Sequence, residues 1–414
     1  MKQDRLPFNS QYVVTTFSKP VLWPRSDEET WLLNPLRRYM MHADHLSVLQ
    51  DQVESISDVK GMPYHNPLRS GMGLASSRIL IERNRDRGIG DLLFLTGPLS
   101  FLQHTSGNNV HIDVYALADR GQVLLHNPAL KHGTTLHGPL HYDDLGLYNY
   151  QWLIDTVTEF NEEPDQLNVY DALYAQLGFL PQEIEPKFKR PSAYLVEEDY
   201  RNLDQFYRYI WNARKIDLRR APYYVVAPFA AASIRSMNYG AWLEVIKEMA
   251  SRRPVLVVGH ANNSLPDLDI SVGEFQQALN QTDNVFNVIG SIPLRVVMAA
   301  IAKAVACITL DSGLLYVAQA FRTPAISIWG SHDPGVRIGY DKDYMDLAIW
   351  NQSSCRMSPC YGYASFPAHK CPNGARQVTC DVLASVSPEQ VVQKLDLVES
   401  NVIALGTFPA KKSA

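Results

Sequence analysis

From about residue 78 onward, short solid runs of apolar residues alternate with longer stretches in which apolar positions recur every three or four residues. Arg78–Arg83 (RILIER) reads as a buried strand, and Leu92, Leu93, Leu95, Leu99 and Leu102 place a helix behind a glycine-rich turn. Val110–Ala116 is the next predicted strand, followed by predicted helices at Tyr150–Phe160 and Leu167–Leu177. Glu183–Asp199 is acidic and Pro-containing and reads mainly as loop. Asn202–Arg214 is a predicted linking helix with Leu203, Phe206, Tyr207 and Ile210 at helical spacing. A second series then begins. Its predicted strands are Tyr223–Ala227, Val255–Gly259, Val285–Val288, Cys307–Leu310 and Ala325–Trp329, and its helices are Tyr239–Ser251, Leu294–Ala304 and Leu314–Phe321. Ser387–Leu397 closes the pattern with a helix start: Ser387 as cap, Pro388 at the first position, Glu389 in the first turn.

Strands alternating with helices at this pitch imply βαβ units on parallel sheets. The expected architecture is α/β with two Rossmann-like halves and a boundary near Lys215–Ala221. Residues 1–75, punctuated by Pro7, Pro20, Pro24, Pro35, Pro63 and Pro67, read as an irregular N-terminal extension in which only Trp31–Val53 looks helical. The division is then 1–75 extension, 76–215 first domain and 216–414 second domain.

At 414 residues, with 46% hydrophobic and 20% charged residues, the chain can bury two cores. It has no apolar run of the roughly 18 residues that span a bilayer, and no apolar segment follows Met1–Arg5, so a cytoplasmic protein without a transmembrane segment is expected. Residues 1–215 carry 21 Lys+Arg against 27 Asp+Glu, and the remainder 17 against 16. Neither half has the positive excess of a dedicated nucleic-acid binder. Arg69, Arg78, Arg83, Arg85 and Arg87 do cluster before the glycine-rich turn, as solvated side chains or as a positive rim for a phosphorylated acceptor.

Four sequence features carry candidate chemistry. Gly88-Ile89-Gly90-Asp91 follows a strand and opens a helix: Gly88 and Gly90 permit a tight turn and close approach, and Asp91 either caps the helix or takes a proton from an acceptor hydroxyl. Asp311-Ser312-Gly313, followed by Tyr316, opens another helix after a strand, where free N–H groups and the helix dipole suit a diphosphate. Phe229–Tyr239 brings Ser233 and Arg235 into a loop of small residues, with Arg235 able to offset leaving-group charge. Trp329–Gly335 (WGSHDPG) is polar and turn-rich at the same sheet edge. Asp267-Leu268-Asp269 and Asp341-Lys342-Asp343 have the letters of a metal-binding Asp-x-Asp but read as solvated loops. Cys355, Cys360, Cys371 and Cys380 are reduced structural thiols, a structural zinc site or disulfides; their spacing lacks tight CxxC pairs.

Together these motifs resemble glycosyltransferase family 9, the ADP-heptose:lipopolysaccharide heptosyltransferases of GT-B fold. The resemblance runs from about Arg78 to Leu397 and is strongest over Gly290–Gly335. It implies two Rossmann-like parallel-sheet domains facing across a cleft, and transfer of a sugar from a nucleoside-diphosphate sugar with inversion and no required metal or other cofactor. It also implies that Asp91 is the catalytic base, that Asp311, Ser312 and Gly313 bind the donor, and that Ser233 and Arg235 lie at its phosphates. Tyr316, counted with the donor-binding set, stands where the family usually has His. Arg235 stands where a Lys is expected, and His260–Asn263 replaces an acidic nucleoside contact. Expected partners are the nucleotide sugar and a saccharide or lipid-linked saccharide acceptor. The alternatives are a hydroxymethylated base in DNA as acceptor, or a non-catalytic module that binds a nucleotide or saccharide.

Overall fold

The computed structural model describes residues 12–24, 30–33, 39–42, 53–58, 78–83, 88–116, 118–131, 135–136, 150–154, 168–176, 179, 181–230, 235–260, 268–360 and 380–404. The N-terminal part differs from its sequence reading. Tyr12–Phe17 (β1), Val21–Pro24 (β2), Thr30–Leu33 (β3), Tyr39–His42 (β4) and Val53–Asp58 (β5) are strands. β4, β1 and β5 form an antiparallel sheet, and β2 pairs with β3. Two of the prolines that suggested irregular chain mark strand ends instead: Pro20 lies between β1 and β2, and Pro24 ends β2, while Pro7, Pro35, Pro63 and Pro67 lie outside the described residues. The helix expected over Trp31–Val53 is replaced by β3, β4 and the start of β5, with residues 34–38 and 43–52 outside the described set.

The first parallel sheet is built from Arg78–Arg83 (β6), His111–Tyr115 (β7), Thr135–Leu136 (β8) and Tyr150–Ile154 (β9), in the order β8-β7-β6-β9. β9 corrects the helix expected at Tyr150–Phe160. Its short aromatic and apolar run has no decisive period of its own, and parallel pairing with β6 settles it as strand. Ile89–Thr105 (α1) follows β6 through the Gly88 turn. Leu92, Leu93, Phe94, Leu95, Leu99 and Leu102 are all buried, because α1 is covered on more than one side and needs no polar face. Val169–Gln176 (α2) lies close to its expected position, and Glu197–Arg214 (α3) starts before Asn202, inside the segment expected to be loop.

The second sheet holds Tyr224–Ala227 (β10), Val255–Val257 (β11), Val285–Asn287 (β12), Ala306–Leu310 (β13), Ala325–Ile328 (β14) and Ala348–Ile349 (β15). All pairs are parallel, in the order β12-β11-β10-β13-β14-β15. Counted from β10, this is the doubly wound order 3-2-1-4-5-6, whose switch point lies between its first and fourth strands. Its helices are Tyr239–Arg252 (α4), Val272–Asn280 (α5), Leu294–Lys303 (α6), Gly313–Ala320 (α7) and Pro388–Ala404 (α8).

One apolar cluster runs from the first sheet into the second, joining Ile79, Leu92, Phe94 and Tyr170 to Leu315, Tyr316 and Val317. Polar contacts flank it. Arg295 of α6 donates to the Tyr194 and Gln122 carbonyls at 2.9 and 3.2 Å and pairs with Asp199. On another side, Lys189 pairs with Asp171 at 2.8 Å and donates to Tyr340 at 2.9 Å, and the Asn168 amide donates to the Gly335 carbonyl at 3.0 Å. α3 packs through Leu203, Phe206 and Tyr207, whose hydroxyl lies 2.6 Å from that of Tyr223; Tyr223 in turn donates to the Ala300 carbonyl of α6 at 2.7 Å.

Candidate active site at the seam of the two sheets

Both sharp motifs stand at switch points. Asp311–Gly313 follows β13 and Arg235 follows β10, the two strands that flank the reversal in the second sheet. In the first sheet the reversal lies between β6 and β9, and Gly88–Asp91 follows β6. Carboxyl ends of strands at such points form the ligand crevice of open α/β sheets.

The two turns touch. A Cβ added at Gly90 would lie 2.7 Å from Cδ2 of Tyr316 and 3.3 Å from Cα of Gly313. One added at Gly313 would lie 2.2 Å from Cγ1 of Ile89 and 3.1 Å from the Gly90 nitrogen. Both positions therefore need glycine for backbone approach across the seam, and the N-terminal ends of α1 and α7 meet there. Asp91 lies in the first turn of α1, partly exposed, and its backbone N–H donates to the Gly88 carbonyl at 3.1 Å.

The second turn is held by polar contacts. The Tyr316 hydroxyl donates to Oδ1 of Asp311 at 2.7 Å, and the Arg235 guanidinium lies 3.3 Å from Oδ2 while also donating to the Asp311 carbonyl. Asp311 is buried; Arg235 keeps 19% of its side chain exposed. The Ser312 and Thr309 hydroxyls are 3.0 Å apart. Behind the pair, Ser331 and His332 are both 1% exposed, with the Ser331 hydroxyl 3.1 Å from Nδ1 of His332. Burial pushes the His332 pKa down to about 4, with Arg235 adding to the fall and Asp311 opposing it, so the ring is neutral near pH 7. Sequence reading flagged Trp329–Gly335 only as polar loop; the burial of His332 behind Asp311 depends on tertiary packing.

The remaining expected site residues are placed as follows. Ser233 lies outside the described residues, as do Arg69, Arg85 and Arg87. Arg78 opens β6 at the sheet end away from the glycine turn and approaches Asp113 at 3.8 Å, so it does not join a rim over the site. Of the Asp-x-Asp residues, Asp267 lies outside the described residues and the other three have partners. Asp269 accepts the Tyr239 and Gly240 N–H groups at 2.7 and 2.8 Å, at the start of α4. Asp341, expected in solvated loop, is buried, and it shares Arg322 with Asp343. Cys355, Cys360 and Cys380 are free thiols. Burial raises the Cys380 pKa to about 11, with Cys360 and Cys355 adding to the rise. Among the described residues no three His, Cys, Asp or Glu side chains converge on a metal position, and Cys371 lies outside them.

The family model for glycosyltransferase family 9 (heptosyltransferase) matches residues 149–362, just over half of the 414-residue chain. The chain belongs to glycosyltransferase family 9. Solved structures agree on the GT-B fold. The E. coli ADP-heptose lipopolysaccharide heptosyltransferase II is 15% identical with a TM-score of 0.56, over 78% of this chain and 99% of its own. A family 9 glycosyltransferase from Veillonella parvula is 14% identical with a TM-score of 0.54, over 80% and 99%. The iron-containing dodecameric glycosyltransferase TibC of enterotoxigenic E. coli is 15% identical with a TM-score of 0.54, over 97% of this chain and 96% of its own, so that likeness extends across the N-terminal strands. No curated protein matches the chain. Among the described residues of this glycosyltransferase, no helix is long and apolar enough to cross a membrane.

Proposed function

We propose that the protein transfers a heptose from ADP-heptose to an acceptor hydroxyl by a single inverting displacement. Asp91 is the base, and the Asp311–Gly313 turn is the seat of the diphosphate. The observation that supports this reading is the approach of Gly90 to Gly313, which brings the Gly88–Asp91 turn beside the Asp311–Gly313 turn. ADP-heptose is chosen because heptosyltransferase II is named for it and TibC has been solved with ADP-D-β-D-heptose bound.

In this reading the diphosphate meets the positive ends of α1 and α7 and the Arg235 guanidinium, with Ser233 on the same loop. Leaving-group charge is met by these groups. Asp91 takes the acceptor proton as the acceptor oxygen attacks the anomeric carbon and the ADP oxygen departs. The acceptor is a saccharide or lipid-linked saccharide, the class in the name of heptosyltransferase II. The boundary between the halves is read near Lys215–Ala221, and Lys215 ends α3 in a left-handed conformation with φ 60°.

Replacing Asp91 with Asn tests the assignment. ADP release from ADP-heptose is expected to fall by about 100- to 10,000-fold, with ADP affinity by calorimetry unchanged. Wild-type turnover in this variant would remove Asp91 from the chemistry. Cys355, Cys360 and Cys380 are read as reduced structural thiols outside the reaction.

A further inference from the structure

Tyr316 reaches from one turn to the other. It lies on the first turn of α7, 4% exposed, with its ring 4.4 Å from that of Phe94 on α1 and tilted by 57°. Its ring edge occupies the space where a Gly90 side chain would project, and its hydroxyl donates to Asp311 at 2.7 Å. A buried aromatic held on two sides by apolar packing and at its tip by a charge-assisted hydrogen bond has one position available to it.

We propose that Tyr316 is a positioning residue that touches no donor atom: its ring seats the Gly88–Asp91 turn and its hydroxyl orients Asp311, so that one side chain fixes the spacing between base and diphosphate. This rests on the reading of Asp91 as base. Its two ends predict separable effects. The hydroxyl acts through Asp311 on the donor turn and therefore on donor affinity. The ring acts through Gly90 on where Asp91 stands, and therefore on turnover.

The test is the kinetics of ADP release from ADP-heptose by the full chain, with melting temperature followed for each variant and Asp91→Asn run alongside. Tyr316→Phe keeps the ring and is expected to raise KM about tenfold with kcat within about twofold. Tyr316→Leu removes the seat and is expected to lower kcat about 100-fold, the scale of a 1 Å misplacement. Gly90→Ala in the wild-type background is expected to lower kcat similarly, and combining it with Tyr316→Leu should give a smaller loss than the product of the two single losses, because the added methyl enters space the ring has left. With Asp91→Asn inactive, the proposal is overturned if Tyr316→Phe changes kcat and KM alike or neither, or if Gly90→Ala and Tyr316→Leu combine multiplicatively. Should Tyr316→Leu fail to fold, the Tyr316→Phe split and the Gly90→Ala loss decide the matter. Wild-type turnover by Asp91→Asn would instead overturn the base assignment, and with it what Tyr316 is said to position.

Discussion

The two turns that meet at the seam follow equivalent strands of two sheets, yet they are held in different ways. The Asp311 turn is fixed by charge and hydrogen bonds, from Arg235 and Tyr316, with neutral His332 behind. The Gly88–Asp91 turn is fixed across the seam by shape: Gly90 and Ile89 fit against Tyr316 and Gly313. The difference matches the two tasks proposed for them. A diphosphate seat benefits from oriented dipoles and a cation prepared in advance, whereas a base must stay accessible to its acceptor and be held by the backbone it rides on.

If that contrast is right, the largest effect comes from removing the cation. Arg235→Leu leaves Asp311 buried without its counter-charge, so unfolding stability in urea should fall by about 3 kcal/mol, the lower end for a broken buried pair because Arg235 is partly exposed. A loss below about 1 kcal/mol would mean that hydrogen bonding alone holds the turn. Gly313→Ala probes the steric side. Its methyl would sit 2.2 Å from the Ile89 side chain and 3.1 Å from the Gly90 backbone, so a cost of about 2 kcal/mol and a fall in turnover are expected. Unchanged melting and turnover would show that the turns are not in contact in solution.

The third effect depends on pH. His332 has its pKa pushed down to about 4 from 6.5, so the unfolded chain takes up the proton first as pH falls. Its contribution is complete above about pH 6.5, declines as pH drops towards 4 and is level below that, with a loss of roughly 1–2 kcal/mol by pH 5.5. Urea titrations of wild type and His332→Asn between pH 7 and 5 should show the flatter dependence in the variant, and parallel curves would refute the assignment. The smallest effect lies away from the seam. Asp269→Ala removes the acceptor for the first N–H groups of α4 and should cost about 1 kcal/mol in stability, with ADP affinity unchanged.

How much of this could be read in advance follows the same contrast. In the second sheet, solid apolar strands and amphipathic helices carry their periods in sequence, and β10, β13, β14, α4 and α6 lie close to where the pattern puts them. Helix α5 has no counterpart among the expected elements, although the sequence displays both its apolar period and the Ser271–Glu274 capping box. At the start of α8 the partner of Ser387 is Gln390, not Glu389 alone: the Ser387 N–H donates to the Gln390 side chain at 3.0 Å. β1 to β5 and β9 were hidden because short aromatic and β-branched runs take their identity from pairing, which is non-local. The same limit applies to the site. Gly90 is legible as a turn residue, but the neighbour that requires it is Tyr316, more than 200 positions away. Tyr316 could be marked as a departure from the family His; its role between the two turns could not.

The claim that these turns form one site is tested most directly by a crystal structure with ADP-D-β-D-heptose bound. The diphosphate should accept hydrogen bonds from the backbone at the start of α7, with the Asp91 carboxylate about 6 Å or less from the anomeric carbon, the reach of a base bonded to an attacking hydroxyl. A diphosphate seated elsewhere, or an anomeric carbon facing away from Asp91, would contradict it.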